Sequence, residues 1–291
     1  MIVAVASGKG GTGKTTVSVS LALAASEDGS RSVRLLDCDV EAPNAALFLE
    51  PELDEERTAG ILVPEVDKDK CQSCGKCAEV CAYHAIAHVG GPPLIFPPLC
   101  HGCGACTWAC PEDALTERLT PIGRMEAGRV GPIRFARGRL EVGEAMATPV
   151  IHQLKDWQIQ DGRDGGRDEL VIIDSPPGTA CPAIEAVRGA DVVVLVTEPT
   201  PFGLSDLEQA VEAIRDAIGL PVAVVINRAD EGDDGVERYC ERENLPVLLR
   251  IPFDRRIAEA YCDGIPLVKA RPEYAEAFRG LLADLSREAV R

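Results

Sequence analysis

Short apolar runs alternate with amphipathic stretches along most of the chain. Six runs are rich in β-branched residues and lack apolar–polar alternation, as expected for strands buried on both faces of a parallel sheet. They are Ile2–Ala6, Val33–Asp37, Glu169–Asp174, Asp191–Thr197, Pro221–Asn227 and Leu245–Ile251. Helical patterns between them include Lys14–Ala25, Leu204–Ala217 and Val236–Glu243. This alternation predicts an α/β domain with a doubly wound, mostly parallel sheet.

The alternation stops between residues 66 and 118, a segment that contains eight of the twelve cysteines. The segment repeats internally: the residues from Cys71 align with those from Cys100 at an offset of 29 positions, with every cysteine matched. We therefore predict a small two-fold module, 66–118, inserted between the first part of the larger domain, 1–65, and its second part, 119–291.

The composition is that of a globular protein, with 46% apolar and 26% charged residues. The formal net charge of −17 repels nucleic acid and anionic lipid, so binding to either is disfavoured. No apolar run reaches the roughly 18 residues of a membrane span, and the N-terminal apolar stretch has no basic leader. We expect a cytoplasmic protein, in which clustered cysteines indicate metal binding rather than disulfides.

A phosphate-binding loop follows the first predicted strand. Residues 8–15 read GKGGTGKT and satisfy the pattern G-x-x-x-x-G-K-[ST]. Glycines turn backbone N–H groups toward phosphate oxygens, Lys14 reaches the β- and γ-phosphates, and the Thr15 hydroxyl ligates Mg²⁺. The predicted nucleotide contacts here are Gly10, Gly11, Thr12, Gly13, Lys14, Thr15 and Thr16. The position between a strand and a helix favours a nucleotide site over a simple glycine-rich turn.

Acidic residues also follow two other predicted strands. Asp37 and Asp39 lie in DCDVEAPN, and Asp174 lies in IIDSPPGT. Carboxylates at strand ends hold the Mg²⁺ shell in P-loop NTPases. Together with the loop, these motifs favour a magnesium-dependent NTPase over solvated strand-end aspartates.

The three motifs KGGTGKTT, DCDVEAPN and IIDSPPGT together resemble the deviant P-loop ATPases. This family includes MinD, the ParA partition ATPases, the Mrp iron–sulfur carriers and the nitrogenase iron protein. The resemblance implies a dimer, of two copies or with a similar ATPase, that closes around ATP. It implies that Lys9 crosses to the partner's nucleotide, that Asp39 positions the attacking water, and that Asp174 holds the Mg²⁺ shell and leads into a second switch. Lys9, Lys14 and Asp39 form the expected catalytic set, with Asp39 also near Mg²⁺.

Recognition of the base is the less specific part of the pattern. The family uses a strand-end asparagine and residues near a later Ile-Pro to hold adenine, and Asn227 and Pro252 match these positions. The sequence from Asn227 to Asp230, NRAD, is also one residue from the N-K-x-D guanine motif. ATP is favoured by the other motifs, and GTP is the alternative.

Each cysteine repeat has the spacing C-x-x-C-x-x-C-x-x-x-C, and the second continues into Pro111, as in bacterial ferredoxins. In such runs the fourth cysteine ligates the other cluster, which predicts two [4Fe–4S] clusters. The predicted ligands are Cys71, Cys74, Cys77 and Cys110 for cluster one, and Cys100, Cys103, Cys106 and Cys81 for cluster two. Zinc is the alternative, but zinc ligands usually form pairs well separated in sequence. Electron transfer is the expected role of the clusters, with a structural role as the alternative.

The combination of the P-loop motifs with the two cysteine repeats resembles MinD-type ATPases that carry an inserted ferredoxin domain. It implies that ATP-driven dimer closure is coupled to electron transfer, or to metal-cluster assembly, on a redox or metallocluster partner protein. The alternative is a metallocluster carrier in which hydrolysis times release. A positioning ATPase of the MinD or ParA type is disfavoured by the acidic surface.

Two further features admit alternatives. Cys181, seven residues after Asp174, is a candidate ligand for an extra metal site at a dimer interface, or else a small buried residue. The C-terminal amphipathic segment has acidic and basic residues mixed on its polar face. This mixture favours a helix docked on the protein's own core over a membrane anchor.

Overall fold

The computed structural model describes residues 1–27, 29, 31–160 and 169–288. Its strands are β1 (Ile2–Ala6), β2 (Ser32–Asp37), β3 (Glu52–Val66), β4 (Ile86–Ala87), β5 (Leu94–Ile95), β6 (Leu115–Val130), β7 (Ile133–Leu140), β8 (Glu169–Asp174), β9 (Val192–Thr197), β10 (Val222–Asn227) and β11 (Val247–Ile251). Its α-helices are α1 (Lys14–Ser26), α2 (Ala45–Leu49), α3 (Lys76–Glu79), α4 (Ala105–Trp108), α5 (Ala147–Lys155), α6 (Cys181–Val187), α7 (Pro201–Val211), α8 (Gly235–Glu243), α9 (Arg255–Cys262), α10 (Leu267–Ala270) and α11 (Glu273–Glu288). Short π-helical segments extend α5 and α7.

Within these residues, nine strands form one sheet in the order β11-β10-β9-β1-β8-β2-β7-β6-β3. The strands from β11 to β7 are parallel, whereas β6 is antiparallel to both β7 and β3. All six predicted apolar runs form parallel strands of this sheet. The predicted α/β fold with a large, mostly parallel sheet is therefore confirmed.

Helices cover both faces of the sheet. Along β1, the alternate residues Val3 and Val5 face a core that includes α1 and α11, while Ala4 and Ala6 face a core that includes α5, α6 and α7. The strands are apolar on both sides because both sides are buried, which explains why their sequences do not alternate.

Strands β3 and β6 form a long antiparallel hairpin that the sequence pattern did not predict. The pairing runs from Glu52 opposite Arg129 to Val66 opposite Leu115. The first half of β3 is polar and exposed, so it lacks the apolar signal of a buried strand. Since β6 begins at Leu115, the last residues of the predicted insert belong to this hairpin.

The residues between the two hairpin strands, 67–114, form what we call the cysteine module. The 29-residue sequence repeat is also a repeat of backbone conformation, because α3 and α4 begin at matching positions. Positive φ angles recur in matched pairs: Ser73 and Gly102, Gly75 and Gly104, His84 and Asp113. The module also shares the main core of the protein, since Ala85 and Cys100 belong to the same buried cluster as Ile61 and Ile122.

Helix α11 packs on the body of the protein, against α1 and β11. Its residues Phe278, Leu281 and Leu285 are at most 1% exposed. No helix in the described part of the chain is long and apolar enough to cross a membrane.

Removal of the Phe278 ring tests how much this packing contributes. Phe278→Ala should lower the free energy of unfolding by about 3–5 kcal/mol, because it leaves a cavity in a fully buried site. The exposed neighbour Glu276 provides the control, and Glu276→Ala should change stability by no more than about 0.5 kcal/mol. Urea unfolding followed by circular dichroism measures both. Equal stabilities of the two variants would contradict a docked α11.

Candidate functional site

The carboxyl ends of β1, β8 and β2 meet at the centre of the sheet and carry the three predicted motifs. In the strand register, Val5 lies beside Asp174, and Asp174 lies beside Asp37. The glycine-rich loop leaves the end of β1 and leads directly into α1. In open α/β sheets, ligands bind at this edge.

The loop conformation depends on glycine at specific positions. Gly11 and Gly13 have φ angles of 79° and 100°, which residues with a side chain rarely adopt. A Cβ atom on Gly13 would lie 2.7 Å from Asn227 Nδ2, and one on Gly8 would lie 2.2 Å from the Asp206 carbonyl oxygen. The loop thus packs tightly against α7 and the end of β10, and it leads into the N-terminus of α1, whose N–H groups attract anions.

Asp174 is fully buried behind the loop. Its Oδ1 accepts a hydrogen bond of 3.0 Å from the Ser18 hydroxyl. Its Oδ2 and the buried Thr12 hydroxyl have no hydrogen-bond partner in the described part of the chain. Buried polar atoms are nearly always satisfied, so these two oxygens fit a site in which Mg²⁺, its waters and a nucleotide complete the bonding.

Burial dominates the electrostatics of the acidic residues. It raises the pKa of Asp174 from its usual 3.8 to about 6, against the opposing effects of Thr15, Lys14 and Ser18. Burial and the neighbouring Asp174 also raise the pKa of Asp37 well above its usual value. Burial lowers the pKa of Lys14, while Asp174 and Asp39 favour its charged form.

Asp37 and Asp39 have different environments. The Asp37 carboxylate accepts backbone N–H groups from Asp39 at 3.2 Å and from Ala45 at 2.9 Å. It therefore shapes the turn between β2 and α2. Asp39 is only partly buried and lines the nucleotide-sized cavity described next. Burial raises the pKa of Asp39, and Lys14 opposes that shift.

A cavity of about 380 Å³ lies between the loop and the segment after β11. Its lining includes all the predicted nucleotide contacts except Thr12, namely Gly10, Gly11, Gly13, Lys14, Thr15, Thr16, Asn227 and Pro252. Phe253, Ile257 and Tyr261 line the cavity too, and were not predicted. The amphipathic pattern of α9 after the Ile-Pro pair is the sequence signal that could have indicated Ile257 and Tyr261.

The residues of the NRAD sequence are already engaged within the chain. Asn227 Nδ2 donates to the Thr12 carbonyl oxygen at 2.9 Å, which ties β10 to the loop. Asp230 Oδ1 accepts the backbone N–H of Phe253 at 2.5 Å and so holds the cavity wall. A guanine-reading aspartate must present its carboxylate to the base. Asp230 is not among the residues that line the cavity, so its position gives no support to the guanine alternative.

Lys9 does not line the cavity of its own chain. Its Nζ lies 3.6 Å from Glu198 Oε2 and 3.9 Å from Asp206 Oδ2, and the side chain is 32% exposed. Glu198 also forms an ion pair with Arg228 at 3.0 Å. Lys9 is thus directed toward acidic side chains that lie outside its own nucleotide cavity.

The eight module cysteines line two separate small cavities. One is lined by Cys71, Cys74, Cys77 and Cys110, and the other by Cys81, Cys100, Cys103 and Cys106. In each cavity three cysteines come from one repeat and the fourth from the other repeat. Backbone N–H groups donate to the sulfurs of both crossing residues: Ala85 to Cys81 and Ala114 to Cys110, each at 3.3 Å.

The geometry of these cysteines differs from that of a single-ion site. Among the described residues, no three histidine, cysteine or acidic side chains converge closely enough to hold one metal ion. Each thiolate around an iron–sulfur cube binds a different iron, so its ligands need not converge on one point.

The remaining cysteines are dispersed. Cys38 and Cys240 are buried, whereas Cys181 and Cys262 are exposed. The interpretation of Cys181 as a small buried residue is therefore wrong. It lies at the first position of α6, shortly after Asp174.

A sequence profile of the CobQ/CobB/MinD/ParA nucleotide binding domain matches residues 3–267. The chain belongs to this family. The family and the loop motif together make it a P-loop ATPase, which hydrolyses ATP.

Relatives and solved structures agree with this membership. The uncharacterized protein MJ0579 of Methanocaldococcus jannaschii is 31% identical over 270 residues, covering 92% of both chains. The iron-sulfur cluster carrier protein of Pyrococcus abyssi is 29% identical over 283 residues, covering 91% of this chain and 78% of that one. The MinD protein of Pyrococcus horikoshii, solved with Mg-ADP, superposes with a TM-score of 0.59 at 22% identity, covering 98% and 96% of the two chains. This structural likeness shows the shared fold.

In this P-loop ATPase, the charge on Asp174 should reduce the stability of the nucleotide-free protein. Because its pKa of about 6 is above the usual 3.8, the folded state binds more protons than the unfolded state between those values. The stabilisation that protonated Asp174 gives to the folded state is therefore lost as the pH rises toward 6. Asp174→Asn should raise the free energy of unfolding at pH 7.5 by about 1–3 kcal/mol. It should also reduce ATP hydrolysis at least about 100-fold.

Urea unfolding without nucleotide at pH 7.5 and pH 4.5 measures the stability difference, which should shrink at the lower pH. The exposed Asp69 is the control, since Asp69→Asn should leave both stability and hydrolysis unchanged. A variant that is less stable than the parent at pH 7.5 would contradict this account of Asp174.

Proposed function

We propose that this ATPase delivers iron–sulfur clusters to partner proteins, with hydrolysis timing the release. The observation that carries the proposal is that one P-loop ATPase has two four-cysteine cavities and a further, exposed cysteine, Cys181, at the start of the helix that follows Asp174. The names of relatives from Pyrococcus abyssi and Aquifex aeolicus, both iron-sulfur cluster carrier proteins, support it. The partners that we expect are metallocluster or redox proteins.

The module cysteines are the proposed ligands of two resident [4Fe–4S] clusters. Cys71, Cys74, Cys77 and Cys110 would hold cluster one, and Cys100, Cys103, Cys106 and Cys81 would hold cluster two. Such clusters supply one-electron transfer. The N–H groups of Ala85 and Ala114 donate to cysteine sulfurs and so stabilise negative charge there.

The cluster to be delivered needs a separate and more labile site. Cys181 is our candidate, because it is exposed and begins the helix that follows Asp174. Single cysteines from two chains could share a cargo cluster at a dimer interface, where a nucleotide-dependent movement would loosen it. Such a shared site differs from the two module cavities, each of which already has four cysteines from one chain.

ATP-dependent dimerisation would give Lys9 its role. The side chain faces acidic residues outside its own cavity, and a second chain could instead offer it the phosphates of a bound ATP. An additional ammonium there would stabilise charge on the transferring phosphoryl group, as an arginine finger does. Asp39 and Asp174 would position the attacking water and the Mg²⁺ shell, while Asn227 and Pro252 would contact adenine.

Variants of the two loop lysines should separate binding from catalysis. Lys14→Ala should lose ATP binding, whereas Lys9→Ala should bind ATP within about threefold of the parent but hydrolyse it at least about 100-fold more slowly. Fluorescent-nucleotide titration and phosphate release measure the two properties, and light scattering reports the dimer. Lys70→Ala, at an exposed lysine of the module, is the control. Full hydrolysis by a monomeric Lys9→Ala protein would refute the dimer.

Iron content tests the module. The anaerobically reconstituted protein should contain about eight irons in the module, four for each cluster. Cys74→Ala and Cys103→Ala change one exposed cysteine of each cavity, and each should lose about four irons and one electron paramagnetic resonance signal. Cys262→Ala changes an exposed cysteine outside the module and should lose none. Stoichiometric zinc in place of iron would contradict the proposal.

Electron transfer from the resident clusters is the second candidate function. The observation that favours it is that four cysteines surround each cavity, an arrangement that retains a cluster rather than releasing it. Transfer of iron to an apo-ferredoxin distinguishes the candidates. If the protein is a carrier, iron transfer to the apo-ferredoxin should depend on ATP and should be lost in Cys181→Ser. If that variant keeps its iron content and its activity unchanged, electron transfer is the function.

A further inference from the structure

Helix α5 lies between two parts of the protein that the proposed function must connect. It contacts α6, the helix that follows Asp174 and the turn after β8. It also contacts β3 and β6, the hairpin that carries the cysteine module. The structure therefore provides one rigid element that touches both the nucleotide side and the module side.

The contact with α6 is made by a buried lysine. Lys155 is 9% exposed, and its Nζ donates to the carbonyl oxygens of Glu185 at 2.5 Å and Arg188 at 2.7 Å. These carbonyls lie at the C-terminal end of α6, where a positive charge is favourable. His152, one turn earlier on α5, adds a contact of 2.8 Å between its Nδ1 and Glu185 Oε1. Since a buried ammonium must keep its acceptors, α5 and α6 are expected to move together.

The hydrogen bonds from α5 to β3 are made by Gln153, beside apolar packing of Val150 against Gly123 of β6. Gln153 Oε1 accepts the backbone N–H of Gly60 at 3.2 Å, and its Nε2 donates to the Gly60 carbonyl oxygen at 2.8 Å. The strand register shifts at this point, and Gly60 lies opposite Pro121, which has no N–H to donate. The register skips Ile122, so the bulge is in β6, and the side chain of Gln153 completes the hydrogen bonding of Gly60 opposite it.

Gly60 must also be glycine for a steric reason. A Cβ atom there would lie 2.6 Å from the Thr120 carbonyl oxygen. The contact between α5 and Gly60 is therefore tightly packed as well as hydrogen-bonded. A shift of α5 would consequently displace β3 as well, because close packing leaves no space to absorb it.

The strand carries this contact on to one of the two cysteine cavities. Ile61 and Leu62 follow Gly60 and touch Gly102, whose added Cβ would lie 3.2 Å from the Leu62 nitrogen. Gly102 lies between Cys100 and Cys103, and its N–H donates to the Cys100 sulfur at 3.4 Å. Leu62 also lines the cavity that contains these cysteines. The hairpin residues that line the other cavity are only those at its tip, Val66 and Leu115.

We infer that α5 transmits the nucleotide state from α6 to the Cys81–Cys100–Cys103–Cys106 site, with Lys155 and Gln153 as positioning residues. The inference rests on the proposed function, because it presumes that ATP binding moves the segment after Asp174. Gly60, which lies opposite the bulge in β6, converts a shift of α5 into a shift of the cysteine loop. The Cys71–Cys74–Cys77–Cys110 site, farther along the hairpin, responds less.

Gln153→Leu tests the inference, because it removes both hydrogen bonds to Gly60 while keeping a side chain of similar size. Gln209→Leu is the matched control: Gln209 is an exposed glutamine on α7, remote from the hairpin, with one local hydrogen bond. The measurement is hydrogen–deuterium exchange of the reconstituted full chain, with and without Mg²⁺ and a non-hydrolysable ATP analogue. Circular dichroism and iron content verify that each variant is folded and loaded.

In the parent and in Gln209→Leu, the analogue should change exchange both in the phosphate loop and in peptides that span residues 60–62 and 100–106. In Gln153→Leu the phosphate-loop change should persist, while the change in the module peptides should fall at least about fivefold. Analogue affinity should stay within about twofold. Gln153→Glu keeps the acceptor for the Gly60 N–H and loses the donor, so it should give an intermediate result.

A module response that persists in Gln153→Leu would overturn the role of α5 and leave the proposed function intact. A parent protein whose module does not respond to the analogue would overturn the coupling itself, and the role of α5 with it. A second readout is the analogue-dependent shift of the cluster potentials, followed by electron paramagnetic resonance. It should be larger for the cluster bound by Cys103 than for the one bound by Cys74, and equal shifts would count against the inference.

Discussion

The two buried carboxylates at the centre of the sheet are the constraint on which the rest of the site depends. Asp37 and Asp174 are neighbours in the strand register, so each one makes ionisation of the other less favourable. Asp37 is compensated by two backbone N–H groups, whereas Asp174 has one oxygen without a donor in the described residues. Lys14 offsets part of this charge. A bound Mg²⁺ and nucleotide would offset the remainder, which links occupancy of the site to its local stability.

Each carboxylate also leads to a different segment of the chain. Asp37 holds the turn that presents Asp39, and Val40, the next residue, accepts a hydrogen bond of 2.8 Å from the Leu140 N–H on β7. Asp174 leads through its turn to α6 and from there to α5. The first route ends on β7, which pairs with the hairpin strand β6, and the second reaches β3 and β6 through α5. Changes at the phosphates therefore have two connected paths toward the module.

The sequence was sufficient to predict most of the local features, although the cavity wall formed by α9 was missed. Strand positions followed from apolar runs, the loop from glycine and lysine spacing, and the grouping of cysteines around each cavity agrees with the ferredoxin spacing. The hairpin was missed because its pairing joins residues far apart in sequence, and half of β3 is polar and exposed. The ion pairs of Lys9 and the hydrogen bond from Phe253 to Asp230 are also long-range contacts, which no spacing rule could indicate. Cys181 was open to both interpretations because exposure depends on how α6 packs.

The strand order separates two surfaces that the proposed function requires at the same time. The phosphate loop lies at β1 in the middle of the sheet, whereas the module extends from the edge strand β3 and its neighbour β6. A second chain could therefore meet the nucleotide face without covering the module. The Lys9–Asp206 pair is partly exposed on both sides, so its loss on dimerisation would cost only about 0–1 kcal/mol, and Glu198 would keep its ion pair with Arg228. Phosphate oxygens of a partner's ATP can offset that cost, which makes dimer closure depend on the nucleotide rather than on a large apolar interface.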